Sequence, residues 1–129
     1  MKKTVLTLLA AAAALTLFAA CGSDPCDAGA CTFAGGTWDE VCDTDGSCSA
    51  TVTDGANVKF SCPGGSCGMN CAGAEACVLD CPGGGCSLTC GATATCQITS
   101  CTAGCSLACG GAATCSSSCD LLGGCATTR

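Results

Sequence analysis

Cysteine is the residue of this chain with the most chemistry to offer. There are nineteen in 129 residues, with no histidine and no tyrosine. Such a set can make disulfides, hold a soft metal or exchange electrons, and spacing discriminates among these. The closest pairs stand four positions apart, as in Cys101 and Cys105, so neither Cys-x-Cys nor Cys-x-x-Cys occurs. Zinc knuckles and thioredoxin-type sites use those short spacings to bring two thiolates together. Their absence points to structural disulfides and implies no cofactor or metal. Without imidazole there is no triad or histidine general base, and no base adjoins the serines and threonines to activate them. Glu75 and Asp80 could pair as acid and base only if a fold brought them into one pocket. A non-enzyme is expected.

The elements that position the cysteines repeat every nineteen residues. One column holds Cys48, Cys67, Cys86 and Cys105, a second Cys71, Cys90 and Cys109, a third Cys77, Cys96 and Cys115. Self-similarity at a fixed period marks a repeat architecture. Each period has two five-residue units, such as Cys67 to Cys71 and Cys77 to Cys81, with Cys96 to Cys101 one residue longer. The middle residues Met69, Leu79, Leu88, Ile98 and Leu107 are aliphatic, and their neighbours are mostly small or polar. That alternation of period two puts cysteine and aliphatic on one side of a strand. Positions i and i+4 also share a helix face, but connectors such as Pro63-Gly64-Gly65, Pro82-Gly83-Gly84-Gly85 and Gly110-Gly111 leave no room for a helix.

Two short strands and two turns per nineteen residues predict an all-β fold. It is a small, disulfide-rich parallel β-solenoid of roughly four coils, with neighbouring strands ~4.8 Å apart. Cys48 to Val52 and Val58 to Cys62 join in register, with valines where later coils have cysteine. In a flattened coil the cysteine ending one strand meets the one beginning the next, within the ~4.4–6.8 Å Cα separation a disulfide needs. The expected pairs are Cys26–Cys31, Cys42–Cys48, Cys62–Cys67, Cys71–Cys77, Cys81–Cys86, Cys90–Cys96, Cys101–Cys105, Cys109–Cys115 and Cys119–Cys125. Column pairing between coils, such as Cys67 with Cys86, ranks second. Ser117 in place of an aliphatic residue, and a slipped Cys125, mark a terminal cap.

Residues 1–20 form a targeting segment: Lys2 and Lys3, then an apolar run too short to span a bilayer stably. Its end, Leu17-Phe18-Ala19-Ala20-Cys21, resembles the lipobox of bacterial lipoproteins. The resemblance implies cleavage before Cys21, diacylation of its sulfur and acylation of the new amino group, hence a membrane anchor. Cleavage near Ala19 or Ala20 as an ordinary signal would instead leave Cys21 a structural cysteine. Lipidation of Cys21 explains the odd count, since eighteen cysteines remain for nine bridges. By the enteric lipoprotein sorting rule, Gly22 and Ser23 direct the product to the outer membrane. Export also supplies an oxidising compartment. The repeats from Cys42 to Cys125 look like those of cysteine-rich bacterial repeat lipoproteins, a resemblance of architecture that carries no activity.

Residues 21–41 read as an acidic tether or N-terminal cap and 42–129 as the solenoid. Thr32 to Trp38 could be a short strand or a cap that buries Phe33 and Trp38, Trp38 being also the one candidate ligand-stacking aromatic. After loss of the signal, Lys59 and Arg129 face ten acidic residues, a net charge of −8, which disfavours nucleic acid as a partner. Asp43-Thr44-Asp45-Gly46 resembles the start of a calcium loop but lacks the later ligands, so a solvated acidic face is preferred. The expected role is a cell-envelope structural or interaction lipoprotein, held on the membrane by its acyl chains and meeting a protein or polysaccharide partner. Thiol-based metal binding is one alternative; a carbohydrate- or ice-binding face is another. Some solenoids of this look bind ice through ranks of Thr-x-Thr. Here the outward columns, Ser49, Gly68, Ser87, Ser106 and Thr51, Asn70, Thr89, Ala108, are no threonine array.

Overall fold

The computed structural model describes residues 29–42, 46–92, 94–111, 114–119 and 125–128. They form an all-β parallel solenoid of about five coils, with no helix among the described residues. The odd strands make one six-stranded sheet: β1 (Ala30–Ala34), β3 (Ser49–Thr53), β5 (Gly68–Cys71), β7 (Ser87–Cys90), β9 (Ser106–Cys109) and β11 (Ala126–Thr128). The even strands make a five-stranded sheet: β2 (Thr37–Val41), β4 (Asn57–Ser61), β6 (Ala76–Asp80), β8 (Thr95–Cys101) and β10 (Thr114–Cys119). Every neighbour pair is parallel, and β5 to β9 and β4 to β8 keep the nineteen-residue offset.

Alternation does the packing. Met69, Leu88 and Leu107 stack in one inward column and Phe60, Leu79 and Ile98 in the facing one, all buried. No charged or polar residue is buried among those described. The turns stack as well as the strands. Cys62-Pro63-Gly64-Gly65 and Cys81-Pro82-Gly83-Gly84 are closed by i+3 hydrogen bonds of 3.1 Å, with proline supplying its fixed φ at the second position. Gly65 and Gly84 have φ of +78° and +76°, and a Cβ there would come within 2.5 and 2.7 Å of the next coil's carbonyl. Glycine is required at both by conformation and by close approach.

The solenoid starts earlier than its cysteine period suggests. The segment read as a tether or cap contributes β1 and β2, in parallel register with β3 and β4. The coil count is therefore about five, not four. The connector Gly35-Gly36 is one residue shorter than Asp54-Gly55-Ala56, so β2 pairs with β4 at an offset of twenty while β1 pairs with β3 at nineteen. The first coil also carries its alternation with Phe33 and Trp38, which a cysteine register does not detect. At the far end, β10 is mostly exposed and Ser117 sits opposite Ile98, as expected of a weakened last repeat. The slipped Cys101 is absorbed by a bulge: Ser100 takes φ +56° and the register against β10 shifts before Cys119.

Candidate functional site

Sixteen of the described cysteines lie at the two edges where the sheets meet. One edge carries Cys42–Cys48, Cys62–Cys67, Cys81–Cys86, Cys101–Cys105 and Cys119–Cys125. The other carries Cys71–Cys77, Cys90–Cys96 and Cys109–Cys115. Cα separations of 6.1–6.5 Å fall within disulfide range because each bond spans one turn. These eight are pairs that spacing had suggested. Cys31 is also disulfide-bonded, while its expected partner Cys26, and Cys21, lie outside the described residues.

Sulfurs of neighbouring coils come close on the first edge. The sulfurs of Cys42, Cys48 and Cys67 lie within 4.8 Å of one another, as do those of Cys62, Cys67 and Cys86 and those of Cys101, Cys119 and Cys125. Each group is one disulfide plus one sulfur of the next, so in this state no thiolate is offered to a metal. The column pair Cys67 and Cys86 is near but not bonded to each other. The carbonyl oxygens of Gly65, Gly84 and Ala103 rest against the bridges, 3.1, 3.3 and 3.5 Å from Cys62, Cys81 and Cys101 Sγ.

Outside, the two sheets differ in charge. The outward face of the six-stranded sheet has one column of Ala30, Ser49, Gly68, Ser87, Ser106 and Ala126 and another of Thr32, Thr51, Asn70, Thr89, Ala108 and Thr128. Ranks repeat at ~4.8 Å across strands and columns at ~6.6 Å along them. No charged side chain lies on this face among the described residues. The sequence columns from Ser49 to Ser106 and Thr51 to Ala108 are recovered there. Thr32 was missed because its strand keeps the nineteen-residue spacing without the flanking cysteines that mark later coils, and Thr128 because its strand is displaced by one residue from the period.

The five-stranded sheet holds the charge. Asp39 and Lys59 lie 3.8 Å apart in open solvent, and the Thr99 hydroxyl donates to Asp80 at 3.0 Å. Glu75, in a turn, accepts from the Asn57 amide at 3.0 Å. Glu75 and Asp80 thus engage different partners. A shallow open groove of about 250 Å³ runs along this face past Thr37, Trp38, Asp39, Asn57, Lys59 and Val78. Trp38 is half-buried; its indole N–H donates to Gly35 O at 2.7 Å and its ring lies 5.5 Å from that of Phe33. Trp38 thus packs on Phe33 within the fold and also lines the groove. Asp43, Thr44 and Asp45 lie outside the described residues. No helix among the described residues is long and apolar enough to cross a membrane.

Compared with known protein families, characterised proteins and solved structures, the chain matches none of them.

Proposed function

We propose that this chain is a non-catalytic interaction lipoprotein of the cell envelope, anchored through acylated Cys21 and using its disulfide-stapled solenoid to present the six-stranded face to a neutral partner. The observation that carries this reading is the split of charge. Around a mature net charge of −8, the described residues of one face carry no charge and present small hydroxyl, amide and methyl groups. An acidic partner would be repelled by the chain as a whole and a basic one drawn to the opposite sheet. A neutral, hydroxyl-rich polymer such as an uncharged polysaccharide has the complementary chemistry. No nucleic acid, metal or cofactor enters this role.

The test uses the full-length acylated chain and insoluble cellulose as the neutral polymer. Wild type is expected to cosediment with it, and a Thr51→Lys/Thr89→Lys variant to lose about 1–3 kcal/mol of affinity through desolvation of the added charges. Undiminished binding by the variant would assign the contact to another surface. Separately, Cys21→Ser is expected to release the chain from membranes. A second reading, ordering of water on the same face, is favoured by the threonines at Thr32, Thr51, Thr89 and Thr128, and thermal hysteresis would reveal it.

A further inference from the structure

The sulfur ladder is accessible at one end among the described disulfides. Among the described disulfides, Cys119–Cys125 alone has both residues outside the fully buried core. The next bridge on the same edge, Cys101–Cys105, is buried, with 0% and 2% exposure. Yet the sulfurs of Cys101, Cys119 and Cys125 lie within 4.8 Å of one another. A partly exposed disulfide is thus stacked against a shielded one, with a buried sulfur beside both of its own.

Thiol–disulfide exchange depends first on which sulfur an attacking thiolate can reach. From these positions we propose that the C-terminal end of this edge is a thiol-reactive site, at which an incoming thiol is captured covalently and the resulting thiolate is passed inward. The thiolate attacks Cys125 Sγ; a new sulfur–sulfur bond forms and the Cys119–Cys125 bond breaks, leaving its electron pair on Cys119. The Cys119 thiolate then attacks Cys101 Sγ, forming Cys101–Cys119 and releasing Cys105 as the thiolate. One thiol has entered and one cysteine thiol has emerged, so the number of disulfides is unchanged and no oxidant or further reductant is consumed. Once protonated, Cys105 has an acceptor at hand, the Ala103 carbonyl oxygen 3.9 Å from its sulfur.

The acyl anchor is expected at the opposite end of the chain, so the site would present a thiol-carrying partner away from the membrane. The mechanism is independent of what the uncharged face binds. Cys109–Cys115, on the other edge, is the internal comparison, since Cys115 is partly exposed and Cys109 is only 8% exposed.

The experiment treats the full oxidised chain with one equivalent of 2-mercaptoethanol at pH 8 without denaturant, followed by acid quench, alkylation and peptic mapping. Expected are a mercaptoethanol adduct on Cys125, a Cys101–Cys119 linkage, and alkylation of Cys105 about tenfold above Cys109 or Cys115, because among the described disulfides access and neighbouring sulfurs coincide at this end alone. A Cys101→Ser/Cys105→Ser variant should keep the adduct but show Cys119 as the alkylated thiol. First reaction at Cys109–Cys115, or a wild-type adduct without either the Cys101–Cys119 linkage or alkylated Cys105, would overturn the proposal.

Discussion

The edge closed by Cys71–Cys77, Cys90–Cys96 and Cys109–Cys115 in the later coils is closed differently in the first two. At the same register stand Val52 with Val58 and, one coil earlier, Phe33 with Trp38. Phe33 and Phe60 are fully buried, with ring centres 6.1 Å apart, and Trp38 packs on Phe33. One backbone frame therefore accepts either a covalent bridge or an apolar pair at the place where its sheets converge. Parallel ladders set the position of each side chain, and what fills the slot decides how the coil resists unfolding. Apolar pairs stabilise the folded chain by leaving water, whereas a bridge acts largely by restricting the unfolded chain.

The two ends should consequently fail under different insults. The largest effect is expected from excess reductant: the three later coils lose their strands, most of the far-UV circular dichroism β signal disappears, and hydrogen exchange keeps most residual protection in β1 to β4. An unchanged spectrum would show that the bridges are dispensable. Next comes Phe60→Ala, which leaves a cavity among Phe33, Val58 and Leu79 and should cost about 3–5 kcal/mol in the oxidised protein, read as a fall in denaturation midpoint. Removing one bridge with Cys90→Ser/Cys96→Ser should cost less, about 2–3 kcal/mol. The reverse exchange, Val52→Cys/Val58→Cys, should extend the second ladder by one coil and add about 2 kcal/mol if the new pair closes without strain, with no additional free thiol on titration. Smallest of all, Lys59→Ala breaks an exposed ion pair and should change stability by no more than ~0.5 kcal/mol.

The same contrast explains how much could be read from the sequence. Cysteine at fixed spacing exposed the later coils, because a residue that must meet a partner across a turn cannot drift in register. Gly65 and Gly84 were legible as turn residues for a similar reason. The first coil was hidden because Phe33 and Trp38 fill their slot without a repeating letter and Gly35-Gly36 shortens the turn by a residue. The lack of cysteine marks in the first coil also concealed Thr32, which stands nineteen residues before Thr51, and the shift before Cys125 concealed Thr128, so the outward face looked shorter and poorer in threonine than it is. The side-by-side placement of column cysteines such as Cys67 and Cys86 was legible from the period and the ~4.8 Å strand spacing, whereas the gathering of three sulfurs follows from how the bridges stack, which no linear spacing records.

The most direct test is disulfide mapping of the full-length oxidised chain, digested in acid without reduction. Bridges across single turns predict linked peptides Cys71–Cys77, Cys90–Cys96 and Cys109–Cys115 on one edge and Cys42–Cys48, Cys62–Cys67 and Cys81–Cys86 on the other. Linkages within a column, such as Cys67–Cys86, or a set of free thiols among these twelve, would contradict a stack fastened at its turns.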